Sequence, residues 1–112
     1  MKDSYKPTIM IDLDGVLNNY TKFEKDNIPE MKKGTKKFLE KLSEDYELIL
    51  FTTRNMKISV KWLIDNDIDK YFKDATNIKL PAYIYLDDRA IQFNGSYENI
   101  LKAIKEFKVY WK

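Results

Sequence analysis

Two pairs of acidic residues each follow an apolar segment, and their positions indicate what chemistry they could do. Asp12 and Asp14 come after "TIMI", and Asp87 and Asp88 come after "AYIYL". Carboxylates that meet at one site repel one another and raise one another's pKa unless a cation lies among them. Oxygen ligands on a rigid frame suit Mg²⁺, which keeps some of its waters and bridges to phosphate oxygens. The four acids therefore predict a magnesium-dependent phosphoryl-transfer site.

A third set of polar residues follows another apolar run, in the segment "LILFTTR". It contains Thr52, Thr53 and Arg54, and the planar guanidinium of an arginine suits phosphate or carboxylate partners. In an open parallel sheet, ligands bind outside the carboxyl ends of the strands. If the three apolar runs are strands of one sheet, their polar ends meet at one rim.

The elements that would position these residues alternate along the chain. Strands are predicted at residues 8–12 and 47–52, near 75–77 and in "AYIYLDD"; helices are predicted from the N-cap Thr35, over 56–66 and after the Asn94-Gly95 turn. Residues 15–34 are predicted to form a loop. This alternation predicts an α/β class: a three-layer, Rossmann-like domain with a parallel central sheet and helices on both faces.

The spacing of the apolar residues predicts which of them face the core. Inward-facing positions on the three helices are Phe38, Leu39 and Leu42, then Val60, Leu63 and Ile64, then Ile100, Leu101, Ile104 and Phe107. The "IYL" run is expected to be buried. Four aromatic residues are predicted to pack in the core or against helices, and not to stack on bases: Trp62, Tyr71, Phe72 and Trp111. Tyr20 and Phe23 follow the first acid pair, where they could contact a substrate.

Composition excludes several classes of function. The 112 residues are expected to form one domain, 1–112, and the 20 basic and 18 acidic residues are interleaved, which disfavours a dedicated polyanion-binding surface. The absence of cysteine and histidine excludes disulfide scaffolds, thiol chemistry, the usual zinc sites and histidine-dependent triads. No segment approaches the length of a signal sequence or a membrane span, so a cytoplasmic location is the default expectation.

Taken together, the motifs resemble the signatures of the haloacid dehalogenase (HAD) superfamily, specifically a small phosphatase-type member without a cap domain. The four signatures resemble "IDLDGVL", the strand-end threonine of "LILFTTR", Lys79 in "NIKLP", and "YLDDR". They occur in the family's order from about Ile9 to Arg89, which is most of the chain. The resemblance implies a HAD-like fold.

The resemblance also implies catalytic roles. Asp12 would be the nucleophile that forms an aspartyl-phosphate, and Asp14 the general acid/base. Family members that cleave carbon–halogen bonds lack an acid at this second position, so Asp14 favours phosphoryl transfer. Mg²⁺ would be held by Asp12, Asp14 and Asp87, while Asp88 would support the metal's water or Lys79. Lys79 would neutralise the nucleophile and the transferring phosphoryl group.

Other residues near the motifs receive supporting roles. Thr52 and Thr53 compete for the phosphate-binding hydroxyl; Thr52 is preferred, with Thr53 contributing its backbone. Arg54 and Gly15 are assigned to substrate binding or support. For Arg89, an ion pair that buttresses the carboxylates is at least as good an interpretation as a bond to substrate.

The predicted function is a Mg²⁺-dependent phosphomonoester hydrolase acting on a phosphorylated small molecule or a polymer end. The alternatives are a phosphatase specific for nucleotides or polynucleotide ends, and an inactive relative that binds phosphate or nucleic acid. The intervals 15–34 and 54–86 are too short for a folded cap, so the site is expected to be open. Either a large substrate or a neighbouring subunit would then cover it. A monomer is preferred, because no long exposed apolar patch is evident in the sequence.

Overall fold

Four parallel strands form one sheet in the order β3-β2-β1-β4. A computed structural model describes residues 5–112. The strands are β1 (Thr8–Asp12), β2 (Glu47–Phe51), β3 (Asp74–Thr76) and β4 (Ile84–Leu86); the helices are α1 (Thr35–Leu42), α2 (Met56–Asp65) and α3 (Tyr97–Glu106), with a 3₁₀ turn at Asp69–Tyr71. The predicted α/β class with Rossmann-like topology is confirmed. Within the described part of the chain, no helix is long and apolar enough to cross a membrane.

One face of the sheet carries the main core. Alternate strand residues share this face and are joined there by one leucine from α1 and one from α2: Ile9, Ile11, Leu48, Leu50, Leu39 and Leu63. The steps from β1 to β2 and from β2 to β3 run in the same direction across the sheet. Because such crossovers are right-handed, both connecting helices fall on the same face.

The opposite face is covered differently. Met10 and Ile49 lie there, and both are buried. The chain returns from β3 to β4 past two strands through residues 77–83, which contain no helix. This connection crosses over Met10, where the Leu80 N–H donates to the Met10 sulfur over 3.2 Å. A non-helical segment therefore connects these two strands, in agreement with the sequence, which predicted no helix between them.

The prediction that one face of α3 packs inward is wrong. Leu101 is 69% exposed, Ile104 is 58% exposed, Phe107 is also exposed, and the helix contains no buried residue. Helical periodicity shows that apolar residues share a face, but it does not show that another element covers that face. The exposed face also removes the basis of the sequence argument for a monomer, so the oligomeric state stays a prediction.

Other predicted burials have mixed outcomes. Among the strands of residues 5–112, β4 lies at the edge and pairs with β1 alone, so Ile84 and Tyr85 are exposed instead of buried. Ile64 and Phe38, which were predicted to face inward, are also exposed. The predicted packing of three aromatic residues against the core is confirmed for Trp62, Tyr71 and Phe72.

The start of α1 differs from the prediction by one residue. Gly34, not Thr35, is the N-cap, and its φ of 89° lies in the left-handed region that favours glycine. Thr35 is the first helical residue, and its hydroxyl donates to the Leu17 carbonyl oxygen over 3.2 Å. This bond fastens the helix to the loop that follows β1.

Candidate active site

Three carboxylates meet at the carboxyl rim of the sheet. Asp12 is the last residue of β1, and Asp87 follows directly after the neighbouring strand β4. Oxygen atoms of Asp12, Asp87 and Asp88 all lie within 4.8 Å of one another. The backbone N–H of Arg89 donates to Asp87 over 2.8 Å, which closes the turn after β4. Parallel pairing of β1 with β4 thus brings acids about 75 residues apart in the chain into one carboxylate cluster.

The cluster perturbs Asp12 strongly. Burial, repulsion from Asp87, and a hydrogen bond and repulsion from Asp88 raise the pKa of Asp12 from 3.8 to about 8. Without a cation, Asp12 therefore holds a proton at neutral pH. A hard divalent cation would remove this repulsion, and an all-oxygen donor set suits Mg²⁺. The carboxylate cluster thus has the donor chemistry that a magnesium site requires.

The raised pKa predicts that the metal-free protein loses stability as pH rises. Unfolded Asp12 releases its proton near pH 4, whereas the folded protein keeps it up to about pH 8. Between these values the folded state binds more protons, so the free energy of unfolding falls with increasing pH and levels off above pH 8. Thermal unfolding in chelator from pH 5 to 9 would measure the slope. Asp12→Asn should flatten it; equal slopes in both proteins would contradict the prediction.

Asp14 lies beside the carboxylate cluster but is engaged elsewhere. Its Oδ2 accepts a hydrogen bond from Arg54 Nε at 2.8 Å, and its Oδ1 accepts one from Asn18 Nδ2 at 3.0 Å. Asn18 is fully buried and also accepts the Gly15 N–H over 3.0 Å. The carboxylates that meet are thus those of Asp12, Asp87 and Asp88. The predicted set of metal ligands had Asp14 in the place of Asp88. Asn18 was missed, and nothing in the segment "LNNY" marks it.

Arg54 supports the loop after β1 as well as Asp14. Its side chain is 1% exposed, and its Nη1 donates to the carbonyl oxygens of Glu24 at 2.8 Å and Lys25 at 3.5 Å. The Phe23 ring lies 4.9 Å from the guanidinium carbon. The remaining nitrogen, Nη2, is buried without a hydrogen-bond partner among the described residues. These contacts are typical of a supporting residue, one of the two roles predicted for Arg54.

The two threonines after β2 occupy different positions. Thr52 is buried, and its hydroxyl oxygen accepts the Arg54 N–H over 3.1 Å. Thr53 is exposed and lines a cavity of about 240 Å³ beside Asp12. The structure therefore places Thr53, rather than the preferred Thr52, at the cavity wall. Asn77, which the sequence did not single out, holds the turn by donating to the Thr52 carbonyl oxygen over 2.6 Å.

Lys79 lies on the other side of the carboxylate cluster. It lines a cavity of about 170 Å³ together with Asp12 and Asp87. Its Nζ lies 4.4 Å from the centre of the Tyr85 ring, an arrangement that favours the cation. The Tyr85 hydroxyl donates to the Leu80 carbonyl oxygen over 2.7 Å, which fixes the ring. The predicted lysine thus lines the same cavity as the predicted nucleophile.

The wall of the 240 Å³ cavity includes the two aromatic residues of the loop after β1. Tyr20 and Phe23 line it, together with Asp14 and Arg89. Trp111 was predicted to pack in the core or against a helix, but it lies at this site, where its indole N–H donates to Asp88 Oδ2 over 2.5 Å. The sequence showed Trp111 only as another aromatic residue.

Comparisons with known proteins show the fold. No protein-family model and no curated protein matches this chain. A solved structure of a conserved protein from Bacteroides thetaiotaomicron is similar, with 23% sequence identity over 95% of each chain and a TM-score of 0.61. At this identity, the similarity establishes the shared α/β architecture and no activity.

Proposed function

We propose that this protein is a Mg²⁺-dependent phosphomonoester hydrolase of the HAD type, with no cap domain, that works through an aspartyl-phosphate on Asp12. The observation that carries the proposal is the convergence of Asp12, Asp87 and Asp88 at the carboxyl rim. Lys79, the residue of the third signature, lines the same cavity as Asp12. The site faces cavities instead of being filled by side chains, so a substrate has access to it.

Asp12 and Asp14 divide the chemistry of the proposed reaction. The Asp12 carboxylate attacks phosphorus, a new bond forms between them, and the bond from phosphorus to the leaving oxygen breaks. Asp14 gives its proton to that oxygen. Asp14 then takes a proton from water, whose oxygen attacks the aspartyl-phosphate, and phosphate leaves as Asp12 is regenerated. Arg54 and Asn18 hold the Asp14 carboxylate for both transfers.

Positive charge would balance the phosphate at this acidic site. Asp12, Asp87 and Asp88 would hold Mg²⁺, whose charge would stabilise the phosphoryl oxygens. Lys79 lines the 170 Å³ cavity and would add a cation there, and Thr53 lines the other cavity, where its hydroxyl would donate to the phosphate. The three carboxylates would otherwise repel an anionic substrate.

Release of inorganic phosphate from p-nitrophenyl phosphate tests the proposal. We expect hydrolysis to stop in EDTA, to return when Mg²⁺ is added in excess, and to be absent from Asp12→Asn under both conditions. Because three carboxylates around a phosphate need a cation, chelation should remove essentially all turnover. Undiminished hydrolysis after exhaustive chelation would contradict the magnesium assignment. Phosphate binding without turnover would favour the alternative of an inactive relative.

A nucleotide or a polynucleotide end is the second candidate for the substrate. The cavity beside Asp12 carries Tyr20 and Phe23 on its wall, and Phe23 is exposed. Aromatic rings of this kind stack on nucleobases, which a phosphosugar lacks. Phosphate release from nucleoside monophosphates, compared with release from phosphosugars, separates the two substrate classes.

A further inference from the structure

The segment after α3 reaches back to the candidate site, where two successive residues bond to the carboxylate cluster and to the loop after β1. The indole Nε1–H of Trp111 donates to Asp88 Oδ2 over 2.5 Å. The Tyr110 hydroxyl donates to the Gly15 carbonyl oxygen. Gly15 follows the first acid pair, and Asp88 belongs to the second. The segment therefore connects the loops that carry both pairs.

Gly15 has no side chain, and the hydrogen bond between Asp88 and Trp111 occupies the space that a side chain at this position would need. Its φ is 85°, in the left-handed region that favours glycine. A Cβ at this position would lie 2.1 Å from Asp88 Oδ2 and 3.1 Å from Trp111 Nε1. No side chain fits there unless the hydrogen bond between Asp88 and Trp111 is displaced. The loop after β1 is thus shaped around this hydrogen bond.

Two ring contacts hold the indole of Trp111 in place. The Tyr20 ring meets it edge-on, with centroids 5.0 Å apart and an interplanar angle of 84°. The Arg89 guanidinium carbon lies 5.2 Å from the centre of the indole. Such edge-to-face and cation–π contacts each add to the packing of the ring. Because the ring is held, the direction of its N–H is fixed as well.

We propose that Trp111 is a positioning residue for the magnesium site. Its N–H fixes the carboxylate of Asp88, so that Asp88 meets the cation together with Asp12 and Asp87. This inference rests on the metal site of the proposed function. Hydrogen-bond partners of metal-ligating groups typically change metal affinity by roughly 10- to 100-fold when removed.

Trp111→Phe separates positioning from packing. Phenylalanine keeps an aromatic ring for Tyr20 and Arg89, but it has no N–H to donate to Asp88. A role in packing alone predicts a lower melting temperature with unchanged Mg²⁺ affinity. The matched control is Trp62→Phe, which removes the indole N–H of the other tryptophan, in α2, where it packs against the core.

Calorimetric titration of the full chain with MgCl₂ is the test. We expect the Kd for Mg²⁺ to rise about tenfold or more in Trp111→Phe, and to stay at the wild-type value in Trp62→Phe. Equal Kd values in wild type and Trp111→Phe would overturn the inference while leaving the proposed function intact. Failure of the wild-type protein to bind Mg²⁺ would instead contradict the proposed function, and this inference with it.

Fluorescence gives a second readout. In Trp62→Phe, Trp111 is the sole tryptophan, and its emission should change with MgCl₂ at the midpoint that calorimetry gives; absence of any change would contradict direct coupling to the metal site. In Trp111→Phe, the emission of Trp62 should not respond.

If Trp111→Phe fails to fold, 3-benzothienylalanine at position 111 keeps the bicyclic shape, replaces the N–H by sulfur, and should weaken Mg²⁺ binding in the same way.

Discussion

Asp12→Asn is expected to abolish turnover and formation of the phosphoenzyme. Asparagine has nearly the same volume as aspartate, but its amide is not a nucleophile toward phosphorus. Asp12 also lines both cavities at the carboxylate cluster, as Asp87 does. Phosphate release and intact-protein mass spectrometry after acid quenching would measure both effects.

The control for this variant is Asp45→Asn, which alters an exposed aspartate outside the site. It should retain wild-type turnover and show the same phosphoryl adduct as the wild-type protein. Turnover by Asp12→Asn at a rate close to that of the control would exclude Asp12 as the nucleophile. In the presence of Mg²⁺, where Asp12 is ionised, both variants lose one negative charge, so a change in net charge alone cannot explain a difference between them.

Asp14→Asn is expected to lower kcat by roughly 10²- to 10⁴-fold, the usual contribution of a general acid or base. Mg²⁺ binding should persist, because the Asp14 carboxylate is held by Arg54 and Asn18 outside the carboxylate cluster. The loss should be larger for an alkyl phosphate than for p-nitrophenyl phosphate, since an alkoxide needs a proton to leave. Equal losses with both substrates would contradict an acid role in the first step.

Much of the sheet is predictable because its signals are local. β1 and β2 are short apolar runs, and their observed bounds are within one residue of those predicted. Acids at strand ends meet because the carboxyl ends of parallel strands share one rim, which is a property of the topology. The approach of Asp12 to Asp87 and Asp88 follows from that rule.

The remaining features depend on contacts between distant parts of the chain. Arg54 pairs with Asp14 across 40 positions, and Trp111 bonds to Asp88 across 23. Neither contact is encoded in spacing, since each depends on the path of a loop. The exposure of α3 was missed for a similar reason. Its apolar residues recur at helical spacing, but no described element packs over Leu101.

The most direct test is a crystal structure of the protein with MgCl₂ and beryllium fluoride, a mimic of the transferred phosphoryl group. We predict beryllium bonded to a carboxylate oxygen of Asp12, with Mg²⁺ held by Asp12, Asp87 and Asp88. A beryllium adduct on any other residue would contradict Asp12 as the phosphoryl acceptor. Crystals that bind neither Mg²⁺ nor beryllium fluoride at the carboxylate cluster would contradict the proposed hydrolase.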